Sequence, residues 1–380
     1  MALTKPVRVA VLIKEIYAGR GQTTNVLEIA SFLHRTHPEV EVSIYVPGRS
    51  VGTPVPSYVR LVPIRRYYTC LLGNRWLSSQ ISANDIGYIQ GNFPYIIPAT
   101  RSKKPTILVV QHIDSPRFVN GSVAKLRVLL TNVIRPYFLR RADVLTTVTT
   151  ELAEYYYRTF SIKARIVEDL IGSDFFTATS KQPPRIVTPA LKLLTVGDWD
   201  GRRGRKRHTD LIDHFAVALS TYPKAHLTLA GLSGRSAERL NMYVKSKGVA
   251  GSVTLVGFLE TNELIRHYCG AHIYVTATTF EGFYRQAVEA FATGLPIVAY
   301  DARRDVADGS QAACANHVVK SGAGELFTDA RGFVNGLGRV LSRYDEYSRN
   351  ARQYALRFSP DSVGEKVYRL IQDTVEGGRA

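Results

Sequence analysis

The chain has 380 residues, 45% of them hydrophobic, which is enough for two globular domains and excludes an intrinsically disordered protein. Its 49 Lys and Arg against 32 Asp and Glu give a net charge of +17, so the surface suits an anionic substrate, an anionic lipid surface or nucleic acid. Three scattered cysteines, Cys70, Cys269 and Cys314, fit neither a metal site nor a disulfide framework and point to a reducing compartment.

Residues 1–11 lack the apolar core of a signal peptide, and no run reaches the ~18 apolar residues of a spanning helix. The expected location is cytoplasmic, either free or peripheral on the inner face of the cell membrane. A solvated basic surface with no partner is the plain alternative.

Residues 7–13 form a near-continuous apolar run, the mark of a buried parallel strand. A loop with Gly19 and Gly21 follows. Residues 24–33 then place Val26, Ile29, Ala30 and Leu33 at helical spacing, and residues 40–46 predict the next strand. This β-loop-α-β opening is Rossmann-like, although the glycines do not complete G-x-G-x-x-G. Residues 58–62 predict a further strand. Residues 64–77 mix Arg65, Arg66 and Arg75 with Tyr67, Tyr68, Leu71, Leu72 and Trp76. Such a mixture suits a membrane interface, single-stranded nucleic acid or an ordinary amphipathic helix.

Strands are predicted over 85–90 and 105–110. His112 follows the second of these directly, at the ligand-binding edge of an open α/β sheet, and Asp114 fits a loop-capping role. Residues 123–141 predict a helix with Leu126, Leu129, Leu130, Val133 and Ile134 on one side. Lys125, Arg127, Arg135, Arg140 and Arg141 supply its charge, so it reads either as a helix lying on a membrane or as a domain helix with a solvated face. Strands follow over 142–149 and 164–167. The segment 180–189, with Pro183, Pro184 and Pro189, reads as an interdomain linker.

The second domain opens with an apolar strand over 191–196. It is followed by Gly197, Asp198, Trp199 and Asp200, then by the basic cluster Arg202, Arg203, Arg205, Lys206 and Arg207. Asp198-Trp199-Asp200 is also a short D-x-D. Helix 209–219, strand 225–230, helix 236–245, strand 253–256 and helix 263–267 complete a second alternating series. Residues 272–275 and 296–300 predict strands on either side of a helix that carries Ala287, Val288, Ala290, Phe291 and Ala292 toward the sheet. Gly294 ends that helix, and Pro296 blocks its continuation. Two helices are expected to close the chain, the last over 361–375.

The entrance to the 285–292 helix carries the chemistry. Glu281 and Gly282 lie in the turn, and Phe283, Tyr284 and Arg285 are expected to begin the helix. Unpartnered N–H groups and the dipole make such an entrance a phosphate site, with Arg285 adding a fixed positive charge. Glu289, two turns or roughly 12 Å beyond Glu281 on a helix, would supply a second carboxylate. Two carboxylates flanking a phosphate site suggest a pyrophosphate with a sugar at each end.

Glu281 and Glu289, with Gly282, Phe283, Ala290, Ala292, Gly294, Pro296 and Val298, resemble the E-x7-E signature of retaining family 4 glycosyltransferases. The departures are Tyr284, where Gly is usual, and Arg285 and Gln286, where apolar residues are usual. The resemblance implies the GT-B fold, two Rossmann-like β/α/β domains facing each other across a cleft. It implies an acceptor-side domain over 1–178, a linker over 179–190, a nucleotide-sugar domain over 191–357 and a helix over 358–380 packing back on the first domain.

Glu289 would then meet the ribose and Glu281 the donor sugar, with Lys206 and Arg202 on the diphosphate. Gly282, Phe283, Tyr284 and Arg285 would line the donor. Gly21 would touch the donor phosphates or approach the acceptor, and His112 would contact the donor sugar, so His112 and Glu281 form the implied catalytic set. The family position for an arginine beside Lys206 holds Asp198 instead. The resemblance implies front-face transfer with retention, a nucleotide-sugar as substrate, no cofactor and no metal. The expected acceptor is a sugar, glycan, lipid or lipid-linked glycan, at an anionic membrane surface. A sugar-nucleotide epimerase of the same fold and a nucleic-acid-binding protein are the alternatives.

Overall fold

The structure is a computed structural model that describes residues 6–17, 21–48, 51–91, 93–113, 121–180, 190–199, 201, 204–305 and 310–377. Gly19, Asp114, Asp200, Arg202, Arg203 and linker residues 181–189 lie outside the described residues, as do the side chains of Tyr67, Tyr68, Leu71 and Arg127. The chain divides into two compact units, residues 1–170 with 358–380 and residues 171–357.

The first unit holds a parallel sheet of β1 (Val7–Leu12), β2 (Val40–Pro47), β3 (Arg60–Ile64), β4 (Ile86–Gln90), β5 (Thr106–Val110), β6 (Val144–Thr147) and β7 (Arg165–Ile166). Their order is β3-β2-β1-β4-β5-β6-β7. β4 and β5 are buried at every position, because helices cover both faces of the sheet, and their residues are mostly apolar, with Gln90 and Thr106 the buried polar exceptions. Val9 illustrates the register, opposite Val42 on one side and Ile86 on the other.

The last helix, Pro360–Gly377, belongs with this unit. Val363, Val367, Leu370 and Ile371 share a core with Val26, Ile29 and Leu33 of the helix Gly21–Thr36. Gly364 permits the close approach, since a Cβ there would stand 2.3 Å from the Phe32 ring. Lys366 pairs with Glu168 at 2.8 Å on the same unit.

The helix Ser122–Leu139 departs from the ordinary pattern. It buries Val128 and Leu139, yet Val123, Leu126, Leu129, Leu130, Val133, Ile134 and Tyr137 are all exposed. The apolar stripe seen in the sequence therefore faces outward.

The second unit holds β8 (Lys192–Val196), β9 (His226–Leu232), β10 (Val253–Gly257), β11 (Ile273–Thr276), β12 (Ile297–Tyr300) and β13 (Gly324–Phe327), in the order β10-β9-β8-β11-β12-β13. All its strand pairs are parallel. Phe215, Leu227, Leu229, Ile273, Val275 and Phe333 fill its core.

The helix Ser173–Ser180 packs on Thr261–Gly270 and Arg285–Ala292, with Phe175 edge-on to Tyr268 at 5.9 Å between centroids. This helix accordingly groups with the second unit, residues 171–357. Three helices rather than two follow β13: Ala330–Ser342, Tyr344–Ala355 and Pro360–Gly377.

Gly294 ends the helix Arg285–Ala292 with φ +69°, and Leu295 N donates to Ala290 O at 2.9 Å. A Cβ here would stand 2.5 Å from the Arg352 guanidinium. Gly294→Ala is expected to cost about 2 kcal/mol, from the left-handed backbone and the displaced arginine. Gly322→Ala, also left-handed (φ +58°) but with its nearest neighbour at 3.6 Å, should cost less. Urea unfolding of both variants checks the order.

Candidate functional site

The second sheet adds strands outward in both directions from the β8–β11 pair. At such a switch point the loops leaving the two strands diverge to opposite faces and open a crevice at the carboxyl edge. The loops here are 197–207 and 277–284. Thr279 N donates to Arg205 O at 2.9 Å and ties them together.

Lys206 and Glu281 meet between these loops. Lys206 Nζ lies 2.8 Å from Glu281 Oε1, with the two side chains 9% and 16% exposed. Gly197, at φ +139°, leaves room for the lysine stem, since a Cβ there would stand 3.4 Å from Lys206 Cε. The ammonium also lies 4.6 Å from the centre of the Tyr284 ring. Arg205, half exposed, places its guanidinium 3.7 Å from the other Glu281 oxygen. The backbone of Glu281 is fixed in turn, because its N–H donates to Gln311 O at 2.7 Å and its carbonyl accepts from Ala313 N at 3.3 Å. The result is a cationic pair held by one carboxylate between the two loops.

His208 lies beneath, at the start of the helix His208–Ala218, with Nε2 3.0 Å from Gly197 O. Burial, reinforced by the Lys206 charge, pushes its pKa down from 6.5 to about 4. The unfolded chain therefore binds the proton first as pH falls. The stability from neutral His208 is fully present above pH 6.5 and is lost as pH drops from 6.5 toward 4. Between pH 7.5 and 5 the loss should be about 2 kcal/mol. His208→Gln keeps a donor toward Gly197 O and should flatten that part of the pH dependence, read from urea midpoints at the two pH values.

The helix opens later than expected. It spans Arg285–Ala292, and Tyr284 caps it in a left-handed conformation, φ 58° and ψ 66°. A left-handed residue cannot continue a right-handed turn, so Gly282, Phe283 and Tyr284 form a turn instead. Glu281 thus lies off the helix, and the eight residues to Glu289 are not two helical turns. The Tyr284 phenol is buried, its hydroxyl 2.9 Å from both Tyr274 Oη and Thr276 Oγ1. Phe283 is fixed by His317, whose Nε2 lies 2.7 Å from its carbonyl oxygen and whose ring is edge-on at 5.3 Å.

Both oxygens of Glu289 are engaged. Arg285 Nε donates to Oε1 at 3.0 Å, and Tyr268 Oη donates to Oε2 at 3.0 Å. Arg285 does not project from the helix entrance as expected, because the i,i+4 spacing lets it fold along the helix onto Glu289. Tyr268 and His317 were not singled out in the sequence. Each pairs with a residue 21 or 34 positions away, and such a pairing leaves no local pattern.

Asp198 of the D-x-D accepts from Trp199 N and Ser233 N, both at 2.9 Å. Burial would raise its pKa, but the hydrogen bonds from Ser233, Ser236 and Trp199 outweigh it and hold the carboxylate below its ordinary value. Among the described residues no group of three His, Cys, Asp or Glu is placed to hold a metal, and no helix is long and apolar enough to cross a membrane.

Gly21 and His112 belong to the first unit. Gly21 is the exposed first residue of the helix Gly21–Thr36, which follows β1. His112 is exposed, two residues beyond β5, and its carbonyl oxygen accepts from Arg135 at 3.3 Å. Both stand at the carboxyl edge of the first sheet. Lys206, Glu281, Gly282, Phe283, Tyr284, Arg285 and Glu289 are brought together in the second unit.

Residues 190–342 match the family model described as "Glycosyl transferases group 1". D-inositol 3-phosphate glycosyltransferase from Corynebacterium urealyticum is 28% identical over 258 residues, 63% of this chain and 59% of that protein. Another curated relative is spanned over only 20% of its length. Among solved structures, sucrose-phosphate synthase from Thermosynechococcus elongatus superposes over 98% of this chain and 100% of its own, with a TM-score of 0.72 and 15% identity. Anabaena HepE in complex with UDP-glucose covers 96% of this chain and 99% of its own, with a TM-score of 0.69 and 13% identity. The fold is that of GT-B glycosyltransferases, two parallel-sheet α/β units.

Proposed function

We propose that the protein is a retaining hexosyltransferase that moves a sugar from a nucleotide-sugar donor to an acceptor hydroxyl. The observation that carries this reading is the convergence of Lys206, Arg205 and Glu281 at the switch point of the second sheet, with Glu289 four residues into the next helix face. The match of this unit to group 1 glycosyl transferases supports it. HepE, solved with UDP-glucose, makes a uridine donor the first to try.

In this reading Lys206 and Arg205 receive the diphosphate. A guanidinium and an ammonium aimed at the leaving oxygens stabilise the charge that develops there. Arg202, outside the described residues, is a further cation for the same task. Glu281 accepts hydroxyl hydrogen bonds from the donor sugar while keeping Lys206 in place. Glu289 accepts from the ribose hydroxyls with the lone pairs that Arg285 and Tyr268 leave. Gly282, Phe283 and Tyr284 shape the floor, and Arg285 follows its carboxylate partner.

The bond from the anomeric carbon to the diphosphate breaks as the acceptor oxygen bonds the same carbon from the same face. The acceptor proton passes to a diphosphate oxygen, which leaves with it. Lys206 and Arg205 balance the diphosphate charge in this scheme, so no metal is part of it. The acceptor is a sugar, a glycan or a lipid-linked glycan.

The test incubates the protein with UDP-, GDP- and ADP-sugars and candidate acceptors. Release of nucleoside diphosphate that depends on acceptor, with the anomeric configuration kept in the product by proton NMR, supports the reading. A donor whose sugar changes stereochemistry without acceptor would make the protein an epimerase instead.

A further inference from the structure

We infer that the helix Ser122–Leu139 is the face by which the first unit docks in plane on an anionic lipid bilayer. The helix is inserted between the two sheet strands β5 and β6, yet only one side of it is used for packing. Val128 and Leu139 are buried, at 7% and 1% exposure. On the opposite side Val123, Leu126, Leu130, Val133 and Tyr137 follow one another at three- and four-residue steps and are 57–83% exposed. Apolar side chains at that spacing normally mark the buried stripe. Here they form one continuous outward face, which a soluble monomer rarely leaves uncovered.

Charge complementarity names the occupant. Residues 42–142 contain fourteen Lys or Arg against two Asp or Glu, so twelve of the chain's seventeen net positive charges lie in this stretch. The helix has no acidic residue and carries exposed Lys125, with exposed Arg140 and Arg141 just beyond its end, whereas its Arg135 is buried against the His112 carbonyl. Tyr137 lies under the Arg141 guanidinium at 4.3 Å, an amphipathic ring beside a cation, as the headgroup layer favours. The segment Tyr67–Leu72 rests on the same short helical stretch, 93–101, as this helix does. It adds an exposed leucine, Leu72, next to exposed Arg65, Arg66 and Arg75. An apolar stripe with cations around it matches acyl chains below anionic headgroups. Nucleic acid would need the cations without the aliphatic stripe, and a protein partner would not need a hundred-residue stretch almost free of acid.

Docking does not depend on the transfer reading. Combined with it, docking implies an acceptor presented at a bilayer surface, and that consequence alone rests on the transfer reading.

The test is co-sedimentation of the full chain with vesicles of phosphatidylcholine alone or with about 30% phosphatidylglycerol. The wild type should bind the anionic vesicles, several-fold less at about 0.5 M salt, and the neutral ones weakly. Leu130→Glu/Val133→Glu changes two exposed positions, so its melting temperature should stay at the wild-type value while its partitioning falls at least about tenfold. No binding of wild type to anionic vesicles would overturn the proposal, as would undiminished binding of the double variant. A wild-type dimer on a sizing column that the double variant dissolves would assign the face to a second copy instead. A nucleotide-induced thermal shift that persists while vesicle binding fails would remove this proposal and leave the donor site standing.

Discussion

Lys206→Met should lower kcat/KM for the nucleotide-sugar about a thousandfold, roughly 4 kcal/mol of transition-state stabilisation. The lysine is 9% exposed and aimed between the loops of the switch point, 2.8 Å from Glu281. Lys206→Arg should recover little, because the bulkier guanidinium must fit where the ammonium lies 2.8 Å from Glu281 and 4.6 Å from the centre of the Tyr284 ring, in a site only 9% exposed. The single variant also takes from Glu281 its 2.8 Å cation and keeps Arg205 at 3.7 Å, so it should lose stability. Lys206→Met/Glu281→Gln removes both charges and should recover the stability without the activity. Steady-state kinetics and urea unfolding of the three variants separate the two effects. Activity within threefold of wild type in Lys206→Met would remove the lysine from the reaction.

Glu289→Ala should abolish detectable donor binding and cost about 2–3 kcal/mol of stability. The carboxylate is the common partner of Arg285 and Tyr268, and all three are largely buried. Its loss takes the carboxylate partner from a buried guanidinium and a buried phenol. Arg285→Ala/Glu289→Ala removes the buried cation as well and should regain most of the stability, but not the affinity for donor. Calorimetric titration with the nucleoside diphosphate, beside thermal melts, distinguishes a ribose-binding carboxylate from one that only anchors the helix. Retained affinity in the refolded double variant would make Glu289 a structural residue.

Much of the fold was legible in the sequence because its signals are local. Residues 7–13, 105–110 and 191–196 are apolar runs, and a strand buried on both faces needs such runs. Gly294 announced the helix stop, since glycine alone takes φ +69° without strain. The helix start was not legible. Tyr284 adopts a left-handed conformation that aromatic residues rarely take, and what holds it there is a hydroxyl cluster with Tyr274 and Thr276 from the neighbouring strand.

The same limit applies to the site. Lys206 and Glu281 are 75 positions apart in sequence, and only the strand order β8-β11 makes their loops neighbours. The i,i+4 pair of Arg285 with Glu289 could be read from spacing, whereas Tyr268 as the second partner of Glu289 could not. Periodicity in 123–141 gave a stripe but not what the stripe meets, and the structure turns it outward. Ser173–Ser180 groups with the second unit through its packing on Thr261–Gly270 and Arg285–Ala292, which no composition change marks.

The central claim is that the second unit binds a nucleotide-sugar through Lys206, Glu281 and Glu289. It is tested most directly by thermal shift of the wild type and Glu289→Ala with UDP, GDP, ADP and their sugars, with and without Mg²⁺. A ligand that binds only the native state raises the melting temperature by mass action. The expected result is a rise with one nucleotide, indifferent to Mg²⁺ and absent in the variant. No rise with any nucleotide at millimolar concentration would contradict the account.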